Sequence, residues 1–388
     1  MRYVSRAIEK EIRQASRAFP ALLVTGPRRA GKTTLLKRIF PKASYYLLED
    51  PDAIARIKAD PRSFMEDMKP PVILDEIQHV PELFNYIRTR IDEHPHRFGQ
   101  WYVTGSQDAP LMKGVSESMA GRVAVFHLLP LSSEETQKVS LLHGGFPEVL
   151  AKLTVSSTWF RSYIQTYLER DVRSISAIKD LAAFRRFLAL LASRSGSVLN
   201  KTDLAAPLGI SVPTVTEWLN ILEITGQVIV VPPFYENFGK RLIKSPKVYF
   251  ADSGLASHLL GIETERALRH STFFGQIFEG FVASEIVKHQ INHGKRRELY
   301  YFRDQQGLEV DFIVPTGSAA VLVLEAKATR TVRPAMGTSL NKLSRAISRY
   351  KVEKCVVHLN PPKGARKEFR SLAPGITAIP VAEIGAHC

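Results

Sequence analysis

The segment from Ala21 to Phe40 reads ALLVTGPRRAGKTTLLKRIF, and it decides the fold of the amino-terminal half. It begins with an apolar run that predicts a buried strand and ends with apolar residues at helical spacing. Between them stand Gly26 and Gly31, which tolerate positive φ and so let successive backbone N–H groups point at one anion. A glycine-bounded turn between a strand and a helix is typical of a phosphate-binding loop.

Side chains after the second glycine complete a polyphosphate site. Lys32 is placed to reach the β- and γ-phosphates, and the Thr33 hydroxyl is a ligand for Mg²⁺. Thr34 is also predicted to bind the nucleotide, because it lies in the first turn of a helix whose N-terminus carries partial positive charge. The alternative is a basic glycine turn without a ligand, and the full spacing between strand and helix argues against it. We therefore predict that the chain binds a nucleoside triphosphate with Mg²⁺.

A second apolar run, Val72 to Leu74, ends in the acidic pair Asp75-Glu76. An acidic residue at the carboxyl end of a neighbouring strand holds the Mg²⁺ shell in P-loop sites, which predicts Asp75 as a metal ligand. Glu76 is then placed to polarise the attacking water, so hydrolysis is expected as well as binding. The alternative is that the two acids cap the following helix.

Two later positions extend the predicted site. The strand Trp101 to Thr104 ends at Gly105-Ser106, so Ser106 or Thr104 is a candidate sensor of the γ-phosphate if this strand lies between the first and third. Arg122, just before the last predicted strand, is suited to reach a neighbouring subunit's γ-phosphate. A surface arginine paired with a nearby acid is an equal alternative.

Composition bounds the rest of the chain. Its 388 residues predict two or three domains, and the formal charge of +15 with a pI near 9.7 favours polyanionic partners. Nucleic acid is the first candidate and an anionic membrane the second. No apolar run approaches the roughly 20 residues that span a bilayer, and the start lacks the apolar core of a signal peptide, so a cytoplasmic protein without a membrane anchor is expected.

The motifs GPRRAGKTT, VILDEIQ, YVTGSQ and SMAGRV together resemble the AAA+-type ATPases whose second half is the DUF4143 region. The resemblance implies an α/β core over residues 1–140, with five parallel strands and the P-loop strand central, followed by a helical lid over 141–182. It implies ATP as the nucleotide and a homo-oligomeric ring or partial ring, a hexamer being one option. Arg122 would then act in trans.

Residues 183–270 have the order helix, turn, helix and strand, which is typical of a winged helix. The second helix offers polar side chains but no lysine or arginine, whereas phosphate contacts normally carry DNA binding. Basic residues stand instead in the predicted wing: Lys240, Arg241, Lys244 and Lys247. Sequence-tolerant DNA contact and a role in packing or subunit contact both stay open.

Residues 271–388 have the order helix, three strands, helix and strand. Strand alternation places Asp311 opposite its apolar neighbours, and it gives Glu325 and Lys327 a shared face on the next strand. Two converging carboxylates favour a divalent cation, and the lysine can orient a nucleophile. The set resembles the PD-(D/E)xK nuclease core, with Glu279 as the acid of the helix. Val310 stands where that motif usually has proline, and a structural network without catalysis is the alternative.

These predictions combine into an ATP-hydrolysing protein that acts on DNA, single-stranded or branched, with a nuclease-like C-terminal domain. The alternative function is an ATP-dependent regulatory switch whose C-terminal domain only binds a partner.

Overall fold

A computed structural model describes residues 3–105, 115, 118–168, 180–234, 245–347, 349–361 and 371–388. Within these ranges five parallel strands form the amino-terminal sheet: β1 (Ala21–Thr25), β2 (Ser44–Leu47), β3 (Val72–Asp75), β4 (Trp101–Thr104) and β5 (Val123–His127). Their order is β2-β3-β4-β1-β5, and β1 pairs with both β4 and β5. The P-loop strand is therefore interior, and β4 lies between it and β3.

Helices cover both faces of this sheet: α1 (Glu9–Ala15), α2 (Lys32–Ile39), α3 (Pro51–Ala59), α4 (Pro61–Glu66) and α5 (Leu83–Glu93). The alternation of β1 explains this arrangement. Leu22 and Val24 pack with α1 and α2, while Leu23 packs on the opposite face with α5. A strand buried on both faces is typical of parallel sheets.

The middle of the chain is helical, with one small antiparallel ribbon. Its elements are α6 (Pro147–Ala151), α7 (Ser156–Tyr163), the π-helical segment Ile164–Leu168, α8 (Leu181–Ser193), α9 (Lys201–Ala205), α10 (Val212–Ile224), β6 (Val228–Val231) and β7 (Lys247–Phe250). Phe146 and Phe160 share one core with Phe184 and Trp218, so the segment predicted as a lid packs directly on the helices that follow it.

The second sheet holds six strands within the described residues, in the order β12-β13-β11-β10-β9-β8. The C-terminal elements are α11 (Ser253–Leu259), α12 (Glu265–His270), α13 (Phe274–Asn292), β8 (Tyr300–Arg303), β9 (Glu309–Gly317), β10 (Ala320–Lys327), α14 (Thr338–Ala346), β11 (Lys351–His358), β12 (Ser371–Ala373) and β13 (Ile376–Pro380). Helix α13 covers one face of this sheet through Phe278 and Ile286, and α14 covers the other through Leu340 and Leu343.

The predicted fold class is confirmed: a parallel P-loop sheet is joined to a second α/β module. Among the described residues, no helix combines the length and apolar character needed to cross a membrane.

Candidate functional site

The P-loop folds tightly against the end of β5. Gly26 has φ of 133° and Gly31 has φ of 99°, and a Cβ on Gly26 would lie 2.2 Å from the backbone oxygen of Leu128. Glycine is therefore required at Gly26 for space as well as for conformation. The buried Lys32 ammonium donates hydrogen bonds to the carbonyls of Gly26 and Pro27, at 3.0 and 3.1 Å. The lysine thus bridges the loop that it closes.

Asp75 is the centre of the hydrogen-bond network beside this loop. The Thr33 hydroxyl lies 2.8 and 2.9 Å from the two carboxylate oxygens, and the Tyr45 hydroxyl donates at 2.8 Å. The Thr104 hydroxyl at the end of β4 donates to the same carboxylate. Burial and the bond to Asp75 raise the pKa of the Tyr45 phenol. The structure therefore brings Thr33 and Asp75 together, as a shared Mg²⁺ shell requires.

Glu76 follows in a left-handed conformation, with φ of 61° and ψ of 51°. Its backbone N–H donates to the Thr104 hydroxyl at 3.1 Å, and the side-chain amide of Gln78 donates to its carboxylate. A non-glycine residue held at positive φ stores strain, and such strain clusters at functional sites. The half-buried Glu76 is thus held at its backbone by Thr104 of β4 and at its carboxylate by Gln78.

Thr34 is exposed and lines a cavity of about 150 Å³ beside the P-loop, together with Tyr3, Val4 and Arg6. Arg6 is buried and donates to the Ala30 carbonyl at 3.0 Å, so it ties the amino-terminal segment to the loop. Ser106, the other candidate phosphate contact, lies outside the described residues.

Arg122 lies away from this group of residues. It precedes β5, whereas the P-loop follows the parallel strand β1, so the two occupy opposite edges of the same sheet. Its guanidinium contacts Asp92 through two bonds, at 2.7 and 3.1 Å. Within this chain, Arg122 is therefore a surface arginine paired with a nearby acid.

A second group of acidic residues gathers in the C-terminal sheet. Leu324 of β10 pairs with Phe312 of β9, which makes Glu325 and Asp311 neighbours across the two strands. The backbone N–H of Ala326 donates to Asp311 at 2.9 Å. The Glu325 carboxylate pairs with the Lys327 ammonium at 2.7 Å through one oxygen. Its other oxygen, Oε2, is buried and has no hydrogen-bond partner among the described residues.

Glu279 of α13 joins this group, and Lys247 of β7 joins it from the middle of the chain. The Lys247 ammonium lies 3.1 Å from Glu279 and 2.6 Å from Glu309, and the Tyr249 hydroxyl donates to Glu279. Lys247 is only 2% exposed, so of the two alternatives left open for the predicted wing, packing applies to this residue. Its ammonium neutralises the partly buried carboxylates of Glu279 and Glu309. Lys240, Arg241 and Lys244 lie outside the described residues.

The electrostatics of this acidic group follow from its crowding. Burial and repulsion from Glu279 and Glu325 raise the pKa of Asp311 well above its ordinary value. Burial raises the pKa of Glu325 in spite of Lys327. The pKa of the Lys327 ammonium is also raised, because Glu325 and Asp311 outweigh burial. The oxygen-rich set with one unpartnered carboxylate oxygen fits a hard divalent cation.

Residues that sequence reasoning missed include Tyr45, Gln78, Arg6 and His127. His127 ends β5 beside the P-loop, 3.3 Å from the Thr25 hydroxyl, and burial together with Lys32 and Arg297 lowers its pKa to about 4. Gln78 stands within the VILDEIQ motif and contacts Glu76 two residues away, so local sequence could have marked it. No local motif marks the other three residues, because each joins the site through a strand register or a distant contact.

Family comparisons define the class of protein first. Residues 18–137 match the family described as AAA domain, and residues 134–266 match a domain of unknown function, DUF8612. Residues 274–383 match a second domain of unknown function, DUF4143. Together with the P-loop sheet, these matches define an AAA-type ATPase.

The relatives then define the family. The chain is 32% identical over 311 residues to the uncharacterized protein Rv2008c of Mycobacterium tuberculosis and to the uncharacterized protein Mb2031c of Mycobacterium bovis. Each match covers 78% of this chain and 69% of the relative. The chain therefore belongs to the family of AAA-domain ATPases with a C-terminal DUF4143 region.

Solved structures include more distant neighbours. The Walker-type ATPase PABY2304 of Pyrococcus abyssi is 15% identical with a TM-score of 0.45, over 65% of this chain and 94% of that one. The ORC1 protein of Aeropyrum pernix, solved in complex with DNA, is 13% identical with a TM-score of 0.28, over 65% and 91%.

Proposed function

We propose that the chain binds ATP and Mg²⁺ between the P-loop and Asp75 and hydrolyses the γ-phosphate with Glu76. The observation that supports this most strongly is the contact of Thr33 with both oxygens of Asp75. In P-loop enzymes a hydroxyl and a carboxylate from these two positions share the metal shell. The bound Mg²⁺ would neutralise phosphate charge.

Each residue of the chain then has a stated task. Lys32 exchanges its bonds to the Gly26 and Pro27 carbonyls for oxygens of the β- and γ-phosphates, which are stronger charged acceptors. The loop amides after Gly26 bind the phosphates. The cavity lined by Tyr3, Val4 and Thr34 lies beside the loop and receives the nucleoside.

Glu76 acts as the group that orients and polarises water. Thr104 accepts the Glu76 backbone N–H and donates to Asp75, so it couples the metal ligand to the residue that activates water. Arg122 completes the site of a neighbouring subunit, since its own P-loop lies at the other edge of the sheet. This role requires a homo-oligomer.

The C-terminal site is proposed to hold Mg²⁺ at Asp311 and Glu325 and to act on the phosphodiester bonds of DNA. The unpartnered Glu325 Oε2 supports a cation there, and the charge of +15 supports a polyanionic substrate. Lys327, paired with Glu325, would orient the nucleophile.

One observation favours a second function, an ATP-dependent switch whose C-terminal site binds without cutting. The Lys247 and Lys327 ammonium groups already lie against Glu279 and Glu325, so internal cations supply part of the charge that a metal would supply. Carboxylates that are already paired with ammonium groups have less need of a metal cation to balance their charge.

Incubation of the full chain with Mg²⁺ and single-stranded, duplex or branched DNA, with and without ATP, tests these functions. Cleavage that Asp311→Ala abolishes while ATP turnover persists supports the nuclease function. ATP turnover with DNA binding but no cleavage supports the switch. If neither ATP nor DNA binds, the proposed function is wrong.

A further inference from the structure

A cluster of two histidines and a glutamate lies outside both sites described above. His289 of α13 and His293, one turn later, face Glu134, which stands shortly after β5. The His289 Nδ1 lies 3.2 Å from Glu134 Oε2, and the His293 Nε2 lies 3.4 Å from Glu134 Oε1. A potential ligand atom of each residue lies within 4.8 Å of the others.

A hydrogen bond within its own helical turn orients the His293 ring. Its Nδ1 lies 2.9 Å from the backbone carbonyl of His289, and because a carbonyl only accepts, Nδ1 is the donor of this contact. Nε2 is then the ring atom that faces the Glu134 carboxylate, at 3.4 Å, and either a second ring proton or a metal cation would bridge the two atoms. A ring that donates its other N–H to a backbone carbonyl is the usual state of a metal-bound histidine.

The spacing also fits a transition metal. Ligand atoms about 2.0–2.1 Å from a tetrahedral zinc ion lie roughly 3.3 Å from one another. Each nitrogen lies near this distance from a different oxygen of the one Glu134 carboxylate, 3.2 Å for His289 and 3.4 Å for His293. Imidazole nitrogens favour zinc, copper, nickel and cobalt over the hard cations Mg²⁺ and Ca²⁺.

The surroundings hold the ligands in place. A Cβ on Gly385 would lie 2.6 Å from His289 Nδ1, so the C-terminal segment packs closely against this ring. Glu134 and His289 also line a cavity of about 470 Å³, which leaves room for water at a fourth position.

We propose that Glu134, His289 and His293 form a binding site for a borderline transition-metal ion of the zinc type. The ion would join the segment that leaves the ATPase sheet to helix α13 of the C-terminal module. That segment already connects the two modules, because Glu135 pairs with Arg6 at 2.8 Å and the Ser133 backbone N–H donates to Glu285 at 2.7 Å.

The test is calorimetric titration of the tag-free, chelator-treated full chain with ZnCl₂ and with CoCl₂, in excess MgCl₂ so that hard-cation sites are filled. One ion per chain is expected. Bound cobalt should show the strong visible absorption of a four-coordinate ion and not the weak absorption of a six-coordinate one. His293→Ala and Glu134→Gln should each weaken binding by at least the roughly 10–100-fold that outer-shell partners cost. His293 is exposed, so its replacement should leave folding intact.

His270→Ala is the matched control, because His270 is an exposed histidine on a different helix, α12. It should bind zinc as the unaltered chain does. The proposal is overturned if the chain binds no zinc in magnesium, or if His293→Ala and Glu134→Gln both bind zinc as tightly as His270→Ala does. Melting curves of the metal-free variants separate loss of a ligand from loss of the fold.

Discussion

The two acidic sites of this chain differ in how their carboxylates are satisfied. Asp75 accepts hydrogen bonds from the neutral hydroxyls of Thr33, Tyr45 and Thr104, which leave its negative charge uncancelled. Glu279 and Glu325 instead face the ammonium groups of Lys247 and Lys327. Hydroxyl donors orient a carboxylate for an incoming cation, whereas ammonium groups compete with that cation. The first site is thus the better suited of the two to the proposed metal-bound nucleotide, whereas the protein's own lysines partly neutralise the carboxylates of the second.

The largest effect is expected at the P-loop. Lys32→Ala removes the ammonium that bridges the loop and binds the phosphates, so both ATP affinity and turnover should fall to background, a loss beyond about 10³-fold. Steady-state phosphate release and equilibrium ATP binding measure this loss. Lys42→Ala, which alters an exposed lysine after α2, is the control and should leave both unchanged.

Arg122→Ala should reduce turnover by about 10³-fold while ATP affinity stays near that of the unaltered chain, because an arginine finger acts on the transition state. The prediction is checked by ATPase rates across protein concentrations. Mixing this variant with Lys32→Ala should restore part of the activity, since each supplies what the other lacks. If the mixture gains nothing, Arg122 does not act in trans.

The third prediction tests whether the carboxylates of the C-terminal site depend on an internal ammonium group, as those of the P-loop site do not. Lys247→Met leaves the partly buried carboxylates of Glu279 and Glu309 without their ammonium partner, which should cost about 1–3 kcal/mol of stability. Urea unfolding of the full chain measures the cost. Added Mg²⁺ should recover part of it if the acidic group accepts a metal in place of the ammonium. Lys354→Met, which alters a lysine that donates to Asn341 outside this group, should show no recovery by Mg²⁺.

The smallest effect concerns pH. The pKa of Asp311 is raised in the folded chain, so between its unfolded-state and folded-state pKa values the folded protein keeps a proton that the unfolded protein has lost. Stability therefore falls as the pH rises from the unfolded-state pKa to the folded-state pKa. The Asp311→Asn side chain cannot ionise, so the Tm of this variant relative to the unaltered chain should be higher at pH 8 than at pH 5. Each kcal/mol of unfolding free energy gained should raise Tm by about 2–4 °C. Thermal melts at both pH values check this. Asp203→Asn, at an exposed aspartate, should show no such gain.

The P-loop site could largely be predicted from local sequence, whereas the lysine pairing of the C-terminal site could not. The convergence of Thr33 and Asp75 could be predicted, because parallel strands end at one edge of a sheet and the loop spacing is local. The position of Lys247 could not be predicted, because its partner Glu279 lies 32 residues further along the chain. A lysine in a basic stretch is expected to face solvent, whereas this one is buried against carboxylates. Tyr45 was missed for a related reason: its bond to Asp75 depends on the register of β2 against β3.

The C-terminal sheet was predictable in outline. Alternation along β9 and β10 correctly indicated that Asp311 and Glu325 face the same side, and the structure makes them neighbours. The distances and the compensating lysines come from helix and ribbon packing, which local patterns do not encode.

The central claim is that water attacks ATP at a site formed by the P-loop, Asp75 and Glu76. The most direct measurement compares ATP affinity and turnover in Glu76→Gln, which keeps the side-chain size and removes the charge. We expect ATP to bind within about threefold of the unaltered chain while turnover falls by roughly 10²–10⁴-fold. Turnover that survives this change, with binding intact, would contradict the account.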